Sequence, residues 1–239
     1  TINLTANTYY PFRIMFGEMG GGYDSQSWFV SPQGTTYYNG TGFYYVTPQI
    51  SSPNNNNNYQ LGLSDTTNRS SPVQIGTDVY RAVSQTPGSE YAAAIRGDGK
   101  LFTWGFNNVG QLGDGTTTTR SSPVQISTSS WKEVYAGTNF SLALRSDNLL
   151  FGWGYNTDGG IGNLSTVSTS SPVLVSGPAG VSWSFVAGVS TIFAITTTGL
   201  LYSWGQCNSS TQGGAPGQGG IGTGNISSPV LVSGPTGAV

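Results

Sequence analysis

Apolar and polar positions alternate in short runs along most of the chain. Trp131-Lys-Glu-Val-Tyr-Ala-Gly137, Phe140-Ser-Leu-Ala-Leu144 and Leu149-Leu-Phe-Gly-Trp153 each follow the two-residue period of a half-buried strand. Asp147-Asn148 separates the last two and is turn chemistry, as are Asp98-Gly99 and Thr198-Gly199 at matching places on either side. Nothing has the i, i+3, i+4 pattern of a long helix. The runs predict short antiparallel strands joined by tight turns.

The runs also recur. Three Trp-Gly pairs, Trp104-Gly105, Trp153-Gly154 and Trp204-Gly205, stand 49 and 51 residues apart. Four Ser-Ser-Pro triplets keep a similar step, with prolines Pro72, Pro123, Pro172 and Pro229 at intervals of 51, 49 and 57. Each is followed by a short β-type run, such as Val124-Gln-Ile126, read as a fourth strand after a loop that the Ser-Ser-Pro ends. A triplet ending at Pro53 is out of register. Upstream of each in-register proline lies Leu61-Gly62, Leu112-Gly113, Ile161-Gly162 or Ile221-Gly222. Four short strands in about fifty residues is the unit of a β-propeller blade, so the fold class predicted is all-β.

The full pattern is Gly-x-x-aromatic-x-x-Ala-Leu, a turn, Leu-x-x-Trp-Gly-x-Asn-x-x-Gly-Gln-Leu-Gly, then Ser-Ser-Pro-x-x-Ile. It resembles the regulator of chromosome condensation repeat. The best copy, Gly88 to Ile126, carries Tyr91-Ala-Ala-Ala-Ile95, Gly97-Asp-Gly99, Leu101-Phe-Thr-Trp-Gly105, Asn107 and Gly110-Gln-Leu-Gly113. The resemblance covers Tyr59 to Val239 and implies blades of a ring of about seven. About three fit here, so the ring is expected to be incomplete, and the chain is expected to be truncated or to continue past Val239. The family usually has His before the second strand. This chain has Tyr91, Phe140 and Thr191 there and no His, so packing is expected to replace that residue's polar network.

Residues 1–50 do not join the repeat. Tyr9-Tyr-Pro-Phe-Arg-Ile14, Gly20-Gly-Gly22 and Pro32-x-Gly34 resemble a protective-antigen-type or GLEYA-type β-sandwich segment. Residues 51–58 have the composition of an Asn-rich linker, although Asn56 to Gly62 also fits the Asn-x-x-Gly-Gln-Leu-Gly pattern, and residues 59–239 hold the repeats. Tyr37, Tyr38, Asn39 and Tyr44 are candidate ligand-facing residues, either packed in strands or forming a platform for sugar rings. Sugar-binding relatives of the protective-antigen type hold calcium between adjacent aspartates, and here Asp24 is isolated.

Composition narrows the chemistry. Only 8 % of the 239 residues are charged, with 8 Lys and Arg against 10 Asp and Glu, while 36 are Gly. Hydrophobic residues at 36 % and aromatic ones at 12 % supply a core and exclude general disorder. A net charge of −2 with scattered basic residues excludes nucleic acid as a partner, and no apolar run suits membrane insertion. The single cysteine, Cys207, allows no internal disulfide. Without His, Ser-His-Asp, Cys-His and His-metal sites are excluded, and no calcium-loop spacing occurs. No catalytic residue, metal site or cofactor is assigned. Trp104, Trp153 and Trp204, with the glycines after them, read as structural: a buried indole whose N–H finds a carbonyl, then a residue free to turn. The sequons at Asn3, Asn39, Asn68, Asn139, Asn163, Asn208 and Asn225 read as incidental in so Ser- and Thr-rich a chain.

These features predict a non-enzymatic structural or adhesive protein, extracellular or in a virion, as a phage tail fibre, spike or capsid decoration. Its partners are other copies, other virion or surface proteins, or a host glycan. A bacterial adhesin fits the same composition, and an exchange factor for a small GTPase, which needs the whole ring, fits less well. Contacts are expected on the loops that vary most, 65–71, 114–122, 163–171 and 209–220.

Overall fold

The computed structural model of the chain describes residues 44–45, 56–84, 86, 89–206 and 224–232. All regular elements there are strands, and twelve of the fourteen form three antiparallel four-stranded sheets. Blade 1 is β3 (Tyr80–Ser84), β4 (Tyr91–Arg96), β5 (Leu101–Gly105) and β6 (Arg120–Ile126). Blade 2 is β7 (Trp131–Ala136), β8 (Phe140–Arg145), β9 (Leu150–Gly154) and β10 (Thr169–Leu174). Blade 3 is β11 (Trp183–Gly188), β12 (Thr191–Thr196), β13 (Leu201–Gly205) and β14 (Ile226–Leu231). Each strand pairs with its neighbours in sequence, as in a propeller blade.

The fourth strands differ from expectation. Each begins four residues earlier than its β-type run suggests, so Ser-Ser-Pro lies inside β6, β10 and β14. Pairing with the third strand shifts register beside the proline, between Thr103 and Gly105 in blade 1 and at the matching places in blades 2 and 3. Proline lacks an N–H to donate, and an edge strand with an irregular ladder tolerates that.

Ahead of blade 1, β1 (Tyr44–Tyr45) pairs antiparallel with β2 (Val73–Gln74). Tyr44 faces Gln74 across the ladder, as Phe102 faces Gln125. The backbone of Tyr44–Tyr45 therefore occupies the third-strand position of a further sheet of the repeat. Asn56 and Asn58, placed by composition in the linker, fold into that sheet's loop. The protective-antigen-like pattern at 9–34, together with Tyr37, Tyr38, Asn39 and Cys207, lies outside the described residues.

The core lies between blades, not inside any one of them, because a sheet with two apolar faces must bury both. Ala93, Ile95 and Leu101 of blade 1 pack with Trp131, Ala136, Ala143 and Trp153 of blade 2. Leu142, Leu144 and Leu150 of blade 2 pack with Trp183, Val186, Ile192, Ala194, Tyr202 and Trp204 of blade 3. Both β4 and β8 are consequently buried on both faces.

Candidate functional site

The loops after the third strands are built to one plan. In blade 1 the buried Asn107 donates from Nδ2 to the Thr116 carbonyl at 3.1 Å and the Thr118 carbonyl at 3.0 Å, while its Oδ1 accepts from Leu112 N at 2.9 Å. Asn156 does the same with Ser165 O at 2.9 Å, Val167 O at 3.2 Å and Ile161 N at 2.9 Å. Asn56 repeats it with Asp65 O, Thr67 O and Leu61 N. One amide closes a loop of about a dozen residues by satisfying backbone groups that the turns leave without ladder partners. The tips vary over this constant frame. Asp65 pairs with Arg69 at 2.7 Å and Asp114 with Arg120 at 2.6 Å, whereas blade 2 has Asn163, whose Oδ1 accepts from Asn156 at 3.1 Å. Burial raises the Asp114 pKa, but hydrogen bonds from Thr116 and Arg120 outweigh it and hold the carboxyl below its ordinary value.

Each loop is latched onto the following blade by the tryptophan of the Trp-Gly pair. Trp104 Nε1 donates to Gln60 O, Trp153 Nε1 to Gln111 O and Trp204 Nε1 to Gly160 O, each at 2.9 Å. Ser64 N, Gly115 N and Leu164 N donate to Ser121 O, Ser170 O and Ser227 O, each at 2.8 Å, tying the loop to the next blade's fourth strand. The glycine midway along each loop is demanded by the indole: at Gly113 (φ +79°) a Cβ would lie 2.6 Å from Trp153 Nε1. The glycine after each tryptophan is required by the neighbouring strand. Gly105, Gly154 and Gly205 all have φ near +100°, and a Cβ there would meet the backbone of Glu90, Asn139 or Ser190 at 2.5 to 2.6 Å.

The polar network expected to be missing is present at the joint between blades 1 and 2. The buried Tyr91 hydroxyl donates to Phe140 O at 2.5 Å and lies 3.0 Å from Ser141 Oγ, which donates to Gln111 O at 2.9 Å. Tyr91 spans the joint because its hydroxyl projects far enough to meet the next blade. Burial pushes its pKa well up. At the next joint Phe140 has no hydroxyl, and packing does replace the network.

At the start of blade 1 the first-strand position that Trp131 and Trp183 hold in blades 2 and 3 is taken by Tyr80, which meets Phe102 edge-on at 5.9 Å. A half-open cleft of about 350 Å³ remains there, lined by Gly62, Ile75, Asp78, Tyr80, Phe102 and Pro123. Arg96 lies over the Phe102 ring at 4.9 Å and pairs with Asp78 at 3.3 Å. Among the described residues no group of three or more His, Cys, Asp or Glu side chains stands where it could hold a metal ion, and no helix is long and apolar enough to cross a membrane.

Of the residues singled out by the repeat, the structure brings Trp104, Trp153 and Trp204 to equivalent buried positions. It places Pro123, Pro172 and Pro229 in the fourth strands and Pro72 directly before β2. The asparagine clamps were legible only as one letter of the motif, since their carbonyl partners are backbone groups with no sequence signature.

Sheets of this order, joined by an indole latch and an asparagine-clamped loop, define a β-propeller repeat protein. Residues 98–144 and 147–194 match the family described as the Regulator of chromosome condensation (RCC1) repeat, and residues 131–159 match a second description of the same repeat. The matches fall within residues 98–194, across blades 1, 2 and 3. It is 32 % identical over 87 residues to the ultraviolet-B receptor UVR8 of Arabidopsis thaliana, spanning 36 % of this chain and 20 % of that protein. It is 35 % identical over 74 residues to the human X-linked retinitis pigmentosa GTPase regulator, spanning 30 % of this chain and 7 % of that protein. In structure it resembles Prp20p of Saccharomyces cerevisiae (TM-score 0.61, 19 % identity, 77 % of this chain and 46 % of that one), a protein described for its binding to Gsp1p and histones. It also resembles human WBSCR16 (TM-score 0.60, 23 % identity, 74 % and 46 %). The chain spans at most a fifth of these two sequence relatives and under half of these two solved chains.

Proposed function

We propose that this protein is a non-enzymatic scaffold that binds protein partners through the loops after its third strands. The observation that carries this reading is the asparagine clamp: one rigid frame is repeated while the residues it presents change from Asp114-Gly115-Thr116 to Asn163-Leu164-Ser165. Constant frames with variable tips are how repeat folds build recognition surfaces. The partner-binding description printed for Prp20p supports the class of role. We place the protein in a virion or on a cell surface, since 8 % charged residues and a Gly-, Ser-, Thr- and Asn-rich surface suit such assemblies. Cross-linking mass spectrometry on purified source particles tests this. Cross-links from partner proteins to the 114–122 and 163–171 loops are expected, and a chain absent from the particles would overturn the placement.

A second reading, regulation of a small GTPase, is favoured by the name of the human relative. Release of a fluorescent guanine nucleotide from Gsp1p in the presence of the full chain separates the two. The scaffold reading expects no acceleration, and turnover at substoichiometric protein would replace it.

A further inference from the structure

Each blade ends in a strand that has a neighbour on one side only. Among the described residues no fifth strand pairs with β6, β10 or β14. Such an edge is a template for a strand of another molecule, and sheets commonly protect it with charge, lysine above all. That protection is missing here. β10 and β14 carry no charged residue, and β6 carries only Arg120, already paired with Asp114 at 2.6 Å. Leu174 in β10 is 49 % exposed, which adds an apolar side chain to the same edge.

The direction of the backbone groups shows what replaces it. Val175 N donates to Leu150 O at 2.9 Å, so Val175 faces the third strand. Successive residues of a strand turn their N–H and C=O to opposite sides, so Val173 also faces inward, while Pro172 and Leu174 face the open edge. Ser170 faces that edge too, because its carbonyl accepts from Gly115 N at 2.8 Å, a donor on the clamped loop of blade 1. This loop lies directly against the strand: a Cβ at Gly110 would be 2.6 Å from Ser170 Cα. The same pair of positions recurs as Ser121, held by Ser64 N, with Pro123, and as Ser227, held by Leu164 N, with Pro229. We infer that Ser-Ser-Pro is an edge guard: its first serine docks the preceding blade's loop over the edge, and its proline withholds the next outward N–H, so a strand of another chain cannot extend the sheet. The motif's spacing follows, since outward positions recur every second residue and the serine and proline stand two apart. Beyond the proline one outward residue of the strand remains, Gln125 in blade 1 or Leu174 in blade 2, too few to carry a ladder. The inference concerns the rim and does not depend on the scaffold reading of the loop tips.

Blade 2 is the place to test this, because the chain on both sides of β10 is described. P172T restores an outward N–H two residues before that of Leu174 and keeps a residue that favours strands. Sedimentation velocity of the full chain from about 1 to 100 µM is compared with amide exchange at residues 172–174 followed by NMR. P172T is expected to associate at a concentration about tenfold or more below that of the unaltered chain, with exchange at 172–174 slowing as concentration rises. P172T/L174K is expected to return association to the level of the unaltered chain, because two copies meeting at this edge would bring their lysines together, whereas aggregation through unfolding would not be reversed that way. P178A removes a proline from an exposed turn outside any strand and is expected to change nothing. Should P172T lose its circular dichroism spectrum, P123T makes the same test in blade 1. Proline variants that fold and associate no more than the unaltered chain, exchange at 172–174 indifferent to concentration, association equally provoked by P178A, or association that L174K leaves in place would each overturn the inference.

Discussion

Replacing Gly113 with alanine isolates what the indole latch contributes. Two costs arise together at this position. The backbone sits at φ +79°, where an L side chain costs about 1 kcal/mol. The added Cβ would also lie 2.6 Å from Trp153 Nε1 and 2.8 Å from Cδ1 and Cε2, about an ångström inside ordinary contact. Trp153 is fully buried and bonded to Gln111 O, so it has nowhere to retreat. Forcing it aside costs about 1–3 kcal/mol of packing strain and about 1 kcal/mol for the hydrogen bond, for a total of roughly 3–5 kcal/mol. Gly199 is the control. Its φ is +87°, nothing lies within 4 Å of its Cβ position, and the matching residue of blade 2 is Asn148 at φ +68°. G199A should therefore show the backbone cost alone, about 1 kcal/mol. Urea unfolding followed by far-ultraviolet circular dichroism compares the two, and hydrogen exchange across residues 107–118 locates the effect, since repeat arrays can open blade by blade. If G113A were no more destabilising than G199A, the argument from close approach would be wrong.

Three further outcomes are expected. N107A removes four hydrogen bonds from one buried site and should cost about 2–4 kcal/mol, with faster amide exchange confined to residues 108–118. Y91F should cost about 1–2 kcal/mol. Because burial raises the Tyr91 pKa above its unfolded value near 10, the hydroxyl's contribution is complete below that pH and is lost as pH rises beyond it. Alkaline unfolding of Y91F should therefore be less steep, with Tyr135, pushed up by burial to about 12, still contributing. At the acid end the hydrogen bond from Arg96, then the backbone bond from Lys100, lowers the Asp98 pKa to about 2. Its stabilisation is present above the unfolded value near 3.8 and fades as pH falls toward 2; R96Q should return the Asp98 titration, followed by carboxyl NMR, toward that value.

Much of this architecture is legible in the chain itself. A two-residue period, turn pairs at Asp98-Gly99 and Asp147-Asn148, and Trp-Gly landmarks 49 and 51 residues apart are local or translational signals, and each survives without knowledge of what touches what. Even the glycine after each tryptophan could be assigned a conformational role in advance. Tertiary structure decided the rest, because the deciding partners are backbone groups or residues in another blade. Asn107 is one polar letter until the Thr116 and Thr118 carbonyls come within its reach. Tyr91 reads as an apolar substitute for histidine until blade 2 brings Phe140 O and Ser141 to its hydroxyl, 49 and 50 residues away. Ser-Ser-Pro reads as a loop ending because proline breaks a regular ladder, yet an edge strand with a register shift accommodates it. Phe193, Ile195 and Leu201 carry the same hydrophobic code as their buried counterparts, since sequence records which faces are apolar and only the assembled blades determine which of them are covered.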